Sequence, residues 1–315
     1  MKTARRSSAK MLLAIAMTGF LLAGCTVLTE RQISAVGQFA KATEKYGPVP
    51  SNAIRTWAEL QIAASAAEVS SMQNEAAMWR HIETSFNTYQ KIVDRSERAI
   101  KSFEILDTYS KLLLQLTSDN YTDALNTRSK DLGESLDSAI EYYNTRFGTS
   151  LMSFGGDTAG IMRAGFGLYI RARQAEALRN VVQEADPAIE ELTKAISTTL
   201  EAVEIGIEKE AETLESEIKV MLEHAPQIKT GQADVKIIPD LASYIQAFEL
   251  IQRARSATRI AASAKIAALQ YRKTHQKLHE NTRNKTEDVQ DLLSMITALK
   301  KEIDAGVKLR RSLTD

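Results

Sequence analysis

The stretch Asp186–Met221, DPAIEELTKAISTTLEAVEIGIEKEAETLESEIKVM, decides the fold class of this chain. Its apolar side chains recur at gaps of three or four residues, at Ile189, Leu192, Ile196, Leu200, Val203, Ile207, Ala211, Leu214, Ile218 and Met221. This spacing places them on one face of a helix as a heptad-like seam roughly 50 Å long. Asp186 suits an N-cap and Pro187 a first helical position, so we expect the helix to begin there. A helix this long predicts a rod-shaped domain.

The segments on either side show the same helical period, and only five prolines and 6% aromatic residues favour helices over a many-stranded sandwich. We predict helices over 30–46, 51–116 with interruptions, 125–147, 240–281 and 289–307, with 226–239 as a surface loop. The helix over 240–281 becomes alanine-rich in its second half, which permits close helix packing. The predicted fold class is all-α: an elongated antiparallel helical bundle with long coiled-coil-like helices.

The first 25 residues have the organisation of an export signal. Lys2, Arg5, Arg6 and Lys10 precede an apolar stretch over 11–23, which is too short for a typical spanning helix. The stretch ends in Leu22-Ala23-Gly24-Cys25, and Cys25 is the only cysteine of the chain. This arrangement resembles the lipobox of bacterial lipoproteins. The resemblance implies a signal peptide over 1–24 and a lipid-anchored helical domain over 25–315.

The same resemblance implies the chemistry and the place of the anchor. Cys25 would carry a thioether-linked diacylglycerol and, after cleavage, an acylated amine such as a palmitoyl amide. Two or three acyl chains together make an essentially permanent anchor. Thr26 stands where lipoproteins retained in the inner membrane carry Asp, so the outer membrane of the cell envelope is favoured. An ordinary secretory signal with an incidental cysteine is the alternative.

The charge balance argues against nucleic acid as a partner. The whole chain has 40 basic and 40 acidic residues, and removal of the signal peptide leaves 36 basic against 40 acidic. Phosphate binding requires a basic excess, which the mature chain lacks.

Two histidines are the strongest candidates for metal chemistry. His275 and His279 are four residues apart and would share one helical face. Gln276 stands where a zinc protease of this motif needs a Glu as general base, so that activity is not predicted. The pair is a weak two-histidine metal candidate, and the plainer interpretation is two solvated polar residues. No catalytic residue and no cofactor are predicted.

The segment over 147–170 is rich in glycine among large apolar residues. Gly156, Gly160 and Ala164 have a small-xxx-small spacing that lets helices approach closely, in membranes especially. Together with Phe166, they are candidates for contact with a membrane. The plainer interpretation is a turn between long helices. The sharper one is a membrane-active tip that resembles those of α-helical pore-forming toxins.

We therefore expect a non-enzymatic scaffold or adaptor of the cell envelope. Its partners would be the membrane, through the N-terminal lipid, and one or more proteins. A homo-oligomer is left open, because the long seams could pair between copies. A membrane-active protein, and an enzyme or a bundle that binds a metal or a small ligand, are the alternatives.

Overall fold

A computed structural model describes residues 28–311 apart from 48, 73, 119–122, 156–168, 224–226, 231–232, 237–240 and 285–288. The described chain forms an all-α bundle, as predicted. Its helices are α1 (Glu30–Thr43), α2 (Ser51–Ser71), α3 (Glu75–Leu116), α4 (Asp123–Phe147), α5 (Tyr169–Glu223), α6 (Leu241–Arg283) and α7 (Val289–Arg311). Two short strands, β1 (Gln227–Thr230) and β2 (Ala233–Lys236), pair as an antiparallel hairpin between α5 and α6.

The antiparallel pair of α5 and α6 forms the centre of the bundle. α5 has 55 residues, which corresponds to roughly 80 Å of helix. The predicted seam is buried from Ile189 to Ile218, except for the partly buried Ala211. It faces the alanines of α6, of which all between Ala254 and Ala268 are buried except the partly buried Ala262. Three ion pairs lie along this interface and link the two helices: Glu190 with Arg272, Glu204 with Lys265, and Glu215 with Arg255.

The predicted start of the central helix at Asp186 is wrong, because α5 begins at Tyr169 and contains Pro187 in its interior. An interior proline removes one helical hydrogen bond and typically costs about 3 kcal/mol. The helix continues because its apolar face does: Leu178, Val182 and Ala185 are fully buried before the proline. Packing of this face against the bundle outweighs the local preference for a helix start.

The region between residues 51 and 116 is helical with an interruption, as predicted: α2 ends at Ser71, and Asn74 caps the start of α3 by accepting a hydrogen bond from the backbone N–H of Ala77. The predicted loop at 226–239 contains the β1–β2 hairpin. The first helix is predicted closely, and Thr29 with Gln32 forms a capping box at its start.

The bundle has two distinct ends. At one end, which we call the N-terminal end, Gln32 of α1 donates to the Asn281 carbonyl of α6, and Gln174 of α5 donates to the Leu116 carbonyl of α3. At the other, which we call the far end, α2 ends and α3 begins. Gln61 of α2 donates to the backbone carbonyl of Ser85 there. The start of α1 and the start of α3 therefore lie at opposite ends of the rod.

Candidate functional site

A chain of polar side chains crosses the core between three helices. Tyr109 of α3, His275 of α6 and Asp186 of α5 are its members. The Tyr109 hydroxyl lies 2.8 Å from His275 Nε2, and His275 Nδ1 lies 2.8 Å from Asp186 Oδ1. Both rings are fully buried, whereas about a quarter of the Asp186 side chain is exposed. This series of three hydrogen-bonded side chains therefore extends from the centre of the bundle toward its surface.

Aromatic rings enclose the buried part of this polar chain. Phe39 of α1 packs against the His275 ring with centroids 5.9 Å apart, and Phe154 meets the Tyr109 ring edge to face at 5.8 Å. Tyr271, one turn before His275 on α6, packs edge to face on Phe39 at 5.1 Å. In an apolar shell, an unpaired polar atom would be costly, so the hydrogen bonds of His275 matter more than they would at a surface.

The protonation state of His275 follows from this burial. Desolvation lowers the pKa of its imidazole, and the hydrogen bond with Asp186 opposes that effect only in part. The hydrogen bond from His275 lowers the pKa of the Asp186 carboxyl. A neutral imidazole beside a carboxylate carries its proton on Nδ1, which donates to Asp186, while Nε2 accepts from the Tyr109 hydroxyl. Each polar atom of the imidazole then has one partner.

The two histidines of the sequence motif meet at one carboxylate. His279 Nδ1 lies 3.6 Å from Asp186 Oδ2, on the opposite oxygen from His275. The interpretation of both histidines as solvated is wrong for His275, which has no exposed surface. Within the described ranges, no group of three or more His, Cys, Asp or Glu side chains is placed to hold a metal ion. Both histidines of α6 therefore lie beside Asp186 of α5.

An aspartate, a histidine and a tyrosine in series have the order of a proton relay, but a relay needs a reacting group at its end. Tyr109 ends against Phe154 instead. Two open surface depressions lie elsewhere: one of about 560 Å³ over Ile54, Ile100 and Phe103, and one of about 440 Å³ beside Pro187. Neither of these two depressions is lined by the polar chain. The hydrogen bonds of the polar chain connect α3, α5 and α6.

The remaining predicted site residues, Cys25, Gly156, Gly160 and Phe166, lie outside the described residues, as does Ala164. The residues just before Gly156 are described. Gly148 takes a positive φ of 64° at the end of α4. The backbone N–H groups of Phe154 and Gly155 both donate to Asp137 Oδ1, at 3.1 and 2.7 Å. Residues up to 155 therefore fold back on α4 in an irregular segment, with Phe154 in the core.

One surface feature was missed by the sequence reasoning. Four apolar side chains on the first half of α3 are exposed, and we call them the α3 stripe: Trp79 (64% exposed), Ile82 (42%), Phe86 (68%) and Val93 (37%). Trp79, Phe86 and Val93 are seven residues apart, so they share one face. The buried Ile92 immediately precedes Val93, so the stripe lies about 100° around the helix from the core face.

The far end that carries the stripe has a small excess of acidic residues. Its described segments are 62–93, 208–223, the two strands and 241–255, and they contain 11 acidic residues against 8 basic ones. Glu75 and Glu83 stand beside the stripe on α3 and are exposed. Burial, opposed by Lys209, raises the pKa of Glu210 on α5, and the nearby Glu68 of α2 raises it further. Carboxylates from α2, α3 and α5 thus lie at this end of the bundle, interspersed with basic side chains.

No family model, curated protein or solved structure matches this chain. Among the described helices, none has a stretch long and apolar enough to cross a bilayer.

Proposed function

We propose that this chain is a non-enzymatic adaptor of the bacterial cell envelope, tethered by lipid on Cys25, that presents a protein-binding surface away from the membrane. The tether rests on the lipobox-like Leu22–Cys25 sequence behind a basic and apolar leader. The proposal for the part beyond the tether is supported by the helical rod. Tethering would act by raising the local concentration of a binding face near its partner.

The observation that carries the proposal is the position of the α3 stripe. Trp79 and Leu116 are 37 residues apart on one helix, which is roughly 55 Å at 1.5 Å per residue. Leu116 lies at the N-terminal end, where α1 begins at Glu30, two residues beyond Leu28. A chain anchored just before α1 would therefore carry the stripe on the opposite end of the rod.

The exposed aromatic surface is large enough to matter in binding. Trp79 and Phe86 are each about two-thirds exposed. At 150–250 Å² for a whole aromatic side chain, they leave roughly 250 Å² of ring surface in water. Scattered single apolar residues are common on protein surfaces, but aligned aromatic ones are typical of interaction sites.

Cell fractionation tests the tether. Wild-type protein is expected in the outer-membrane fraction and is expected to incorporate labelled palmitate. The Cys25→Ala variant is expected to be absent from the membrane fraction and to incorporate no palmitate. Thr26→Ser is the matched control, because it keeps the cysteine and a small polar neighbour. Thr26→Asp is expected to move the protein to the inner membrane. If Cys25→Ala stays in the membrane, the anchor is refuted.

Vesicle leakage separates the adaptor from the pore-forming alternative. An adaptor is expected to leave dye-loaded vesicles intact at every protein concentration. Release of dye by the wild-type chain, lost in Phe166→Ser, would replace the adaptor by a membrane-active protein.

A further inference from the structure

We infer that residues 65–91, which we call the α2–α3 flap, form a pH-dependent latch that is held on α5 in acid and released as the pH rises. Release would move the segment that carries three of the four side chains of the α3 stripe, which goes beyond the adaptor function. Three features of the flap support the latch: its weak packing, a contact between His81 and Glu68, and the position of Glu210 on α5.

The α2–α3 flap is the least tightly packed part of these two helices. The last buried residue that the structure describes on α2 is Ala64, and the first on α3 is Ile92. None of the described residues between them is buried. Segments with few buried apolar contacts are the first to open in a native protein. We therefore expect the flap to open locally while the rest of the bundle stays folded.

One contact inside the flap depends on the protonation of a histidine. His81 Nε2 of α3 lies 3.1 Å from Glu68 Oε2 of α2. That nitrogen is enclosed, and its orientation gives it no hydrogen bond among the described residues. The two side chains therefore form an ion pair only when the imidazole is protonated. Histidine is the side chain whose charge changes as the pH falls through the neutral range. Acidification thus strengthens the link between α2 and α3.

A carboxyl group of α5 responds to pH in the same direction. Burial raises the pKa of Glu210, Lys209 opposes this effect, and the nearby Glu68 raises the pKa further. When the flap opens, the Glu210 carboxyl regains water and moves away from Glu68, so the closed state holds the Glu210 proton more tightly than the open state. Closure is therefore favoured in acid, and this contribution is lost as the pH rises through the pKa of Glu210.

The other charges near the latch are exposed or paired. Ion pairs of Glu204 with Lys265 and of Glu215 with Arg255 place residues 255–265 of α6 opposite Glu210. The one further charged side chain in that range, Arg259, is exposed. Exposed charges are screened by water and salt, so they act weakly on the latch. Within one turn of His81 and Glu210 on their own helices, the charged side chains are also exposed: Arg80, Glu83, Glu208, Lys209 and Glu212.

Amide hydrogen exchange read by mass spectrometry measures the opening of the flap. The chain is purified as cells process it: in phosphatidylcholine vesicles if it is membrane-bound, in buffer if it is not. Exchange of peptides from 75–91 is measured at about pH 5.5 and about pH 7.5, on either side of the usual histidine range. Each rate is divided by that of the same peptide unfolded, so that the intrinsic pH dependence of exchange cancels.

The opening constant of the flap should rise at least about fivefold between the two pH values, because one proton taken up on closure changes it by up to about tenfold per pH unit. Peptides from 192–207, in the buried part of α5, should show no such rise. His81→Gln and Glu210→Gln should each reduce the rise, and the double variant should abolish it. The matched control is His279→Gln, since His279 also lies beside a carboxylate and is 27% exposed against 23% for His81. This control should keep the full rise.

Three results would overturn the latch: flap protection as high as that of 192–207 at both pH values, an opening constant that is equal at the two pH values or larger in acid, or equal loss of the rise in His81→Gln and His279→Gln. Loss of the lipid anchor should leave flap exchange unchanged. Failure of the tether and failure of the latch are therefore distinguishable.

Discussion

Tyr109→Phe removes a single oxygen from the core and tests the buried polar chain. The lost hydroxyl donates to His275 Nε2 over 2.8 Å, and both side chains are fully buried. The variant leaves a buried acceptor without a partner, which costs about 2 kcal/mol of unfolding free energy. For a domain of this size, that lowers the thermal midpoint by roughly 4–8 °C. Urea unfolding followed by circular dichroism measures the loss.

Tyr142→Phe is the matched control, because the Tyr142 hydroxyl also donates a hydrogen bond, to Glu97 at 3.0 Å, but Tyr142 is 47% exposed. We expect a loss below about 0.5 kcal/mol there. The pair Tyr109→Phe and His275→Leu provides a second measurement. Removal of both partners should cost at least about 1 kcal/mol less than the sum of the single losses. If Tyr109→Phe loses no more than Tyr142→Phe and the pair is additive, the hydrogen bond contributes nothing.

Three further predictions concern the same core. Burial lowers the pKa of His275, so as the pH falls the histidine of the unfolded chain is protonated first. The unfolding free energy should therefore fall below about pH 6.5, by up to roughly 1 kcal/mol per pH unit. Urea unfolding curves of wild type and His275→Gln, measured at several pH values, should diverge there, and parallel curves would contradict this. Gly206→Ala places a methyl group against the Trp57 ring and should cost about 1–3 kcal/mol, whereas Gly47→Ala, whose Cβ would meet its nearest atom at 3.8 Å, should cost less in the same assay. Pro187→Ala restores a backbone donor inside α5 and should raise the thermal midpoint, and a lower midpoint would refute the strain assigned to this proline.

The helices were predictable because their apolar period is a local property of the sequence. The seam from Ile189 to Ile218 lies on the buried face of α5 for that reason. The start of α5 was not predictable in the same way. Asp186-Pro187 is a typical helix start, and only the packing of the preceding turns against distant helices overrides it.

The candidate site was half visible in the sequence. The spacing of His275 and His279 indicated a shared face, but the partners of His275 are 89 and 166 residues away. No local pattern places Asp186 or Tyr109 beside it. The α3 stripe was missed because the period shows that apolar side chains share a face without showing which of two neighbouring faces a partner helix covers.

The polar chain through His275 also gives the rod a defined length. An apolar seam that repeats every seven residues can slide by one repeat and still match apolar groups. A slide of α6 along α5 would move His275 away from Asp186 and place its polar atoms among alkyl groups, which is costly. The bundle therefore has one register of α5 against α6. The distance between the two ends of the molecule is then fixed, and the bundle can act as a spacer of constant length.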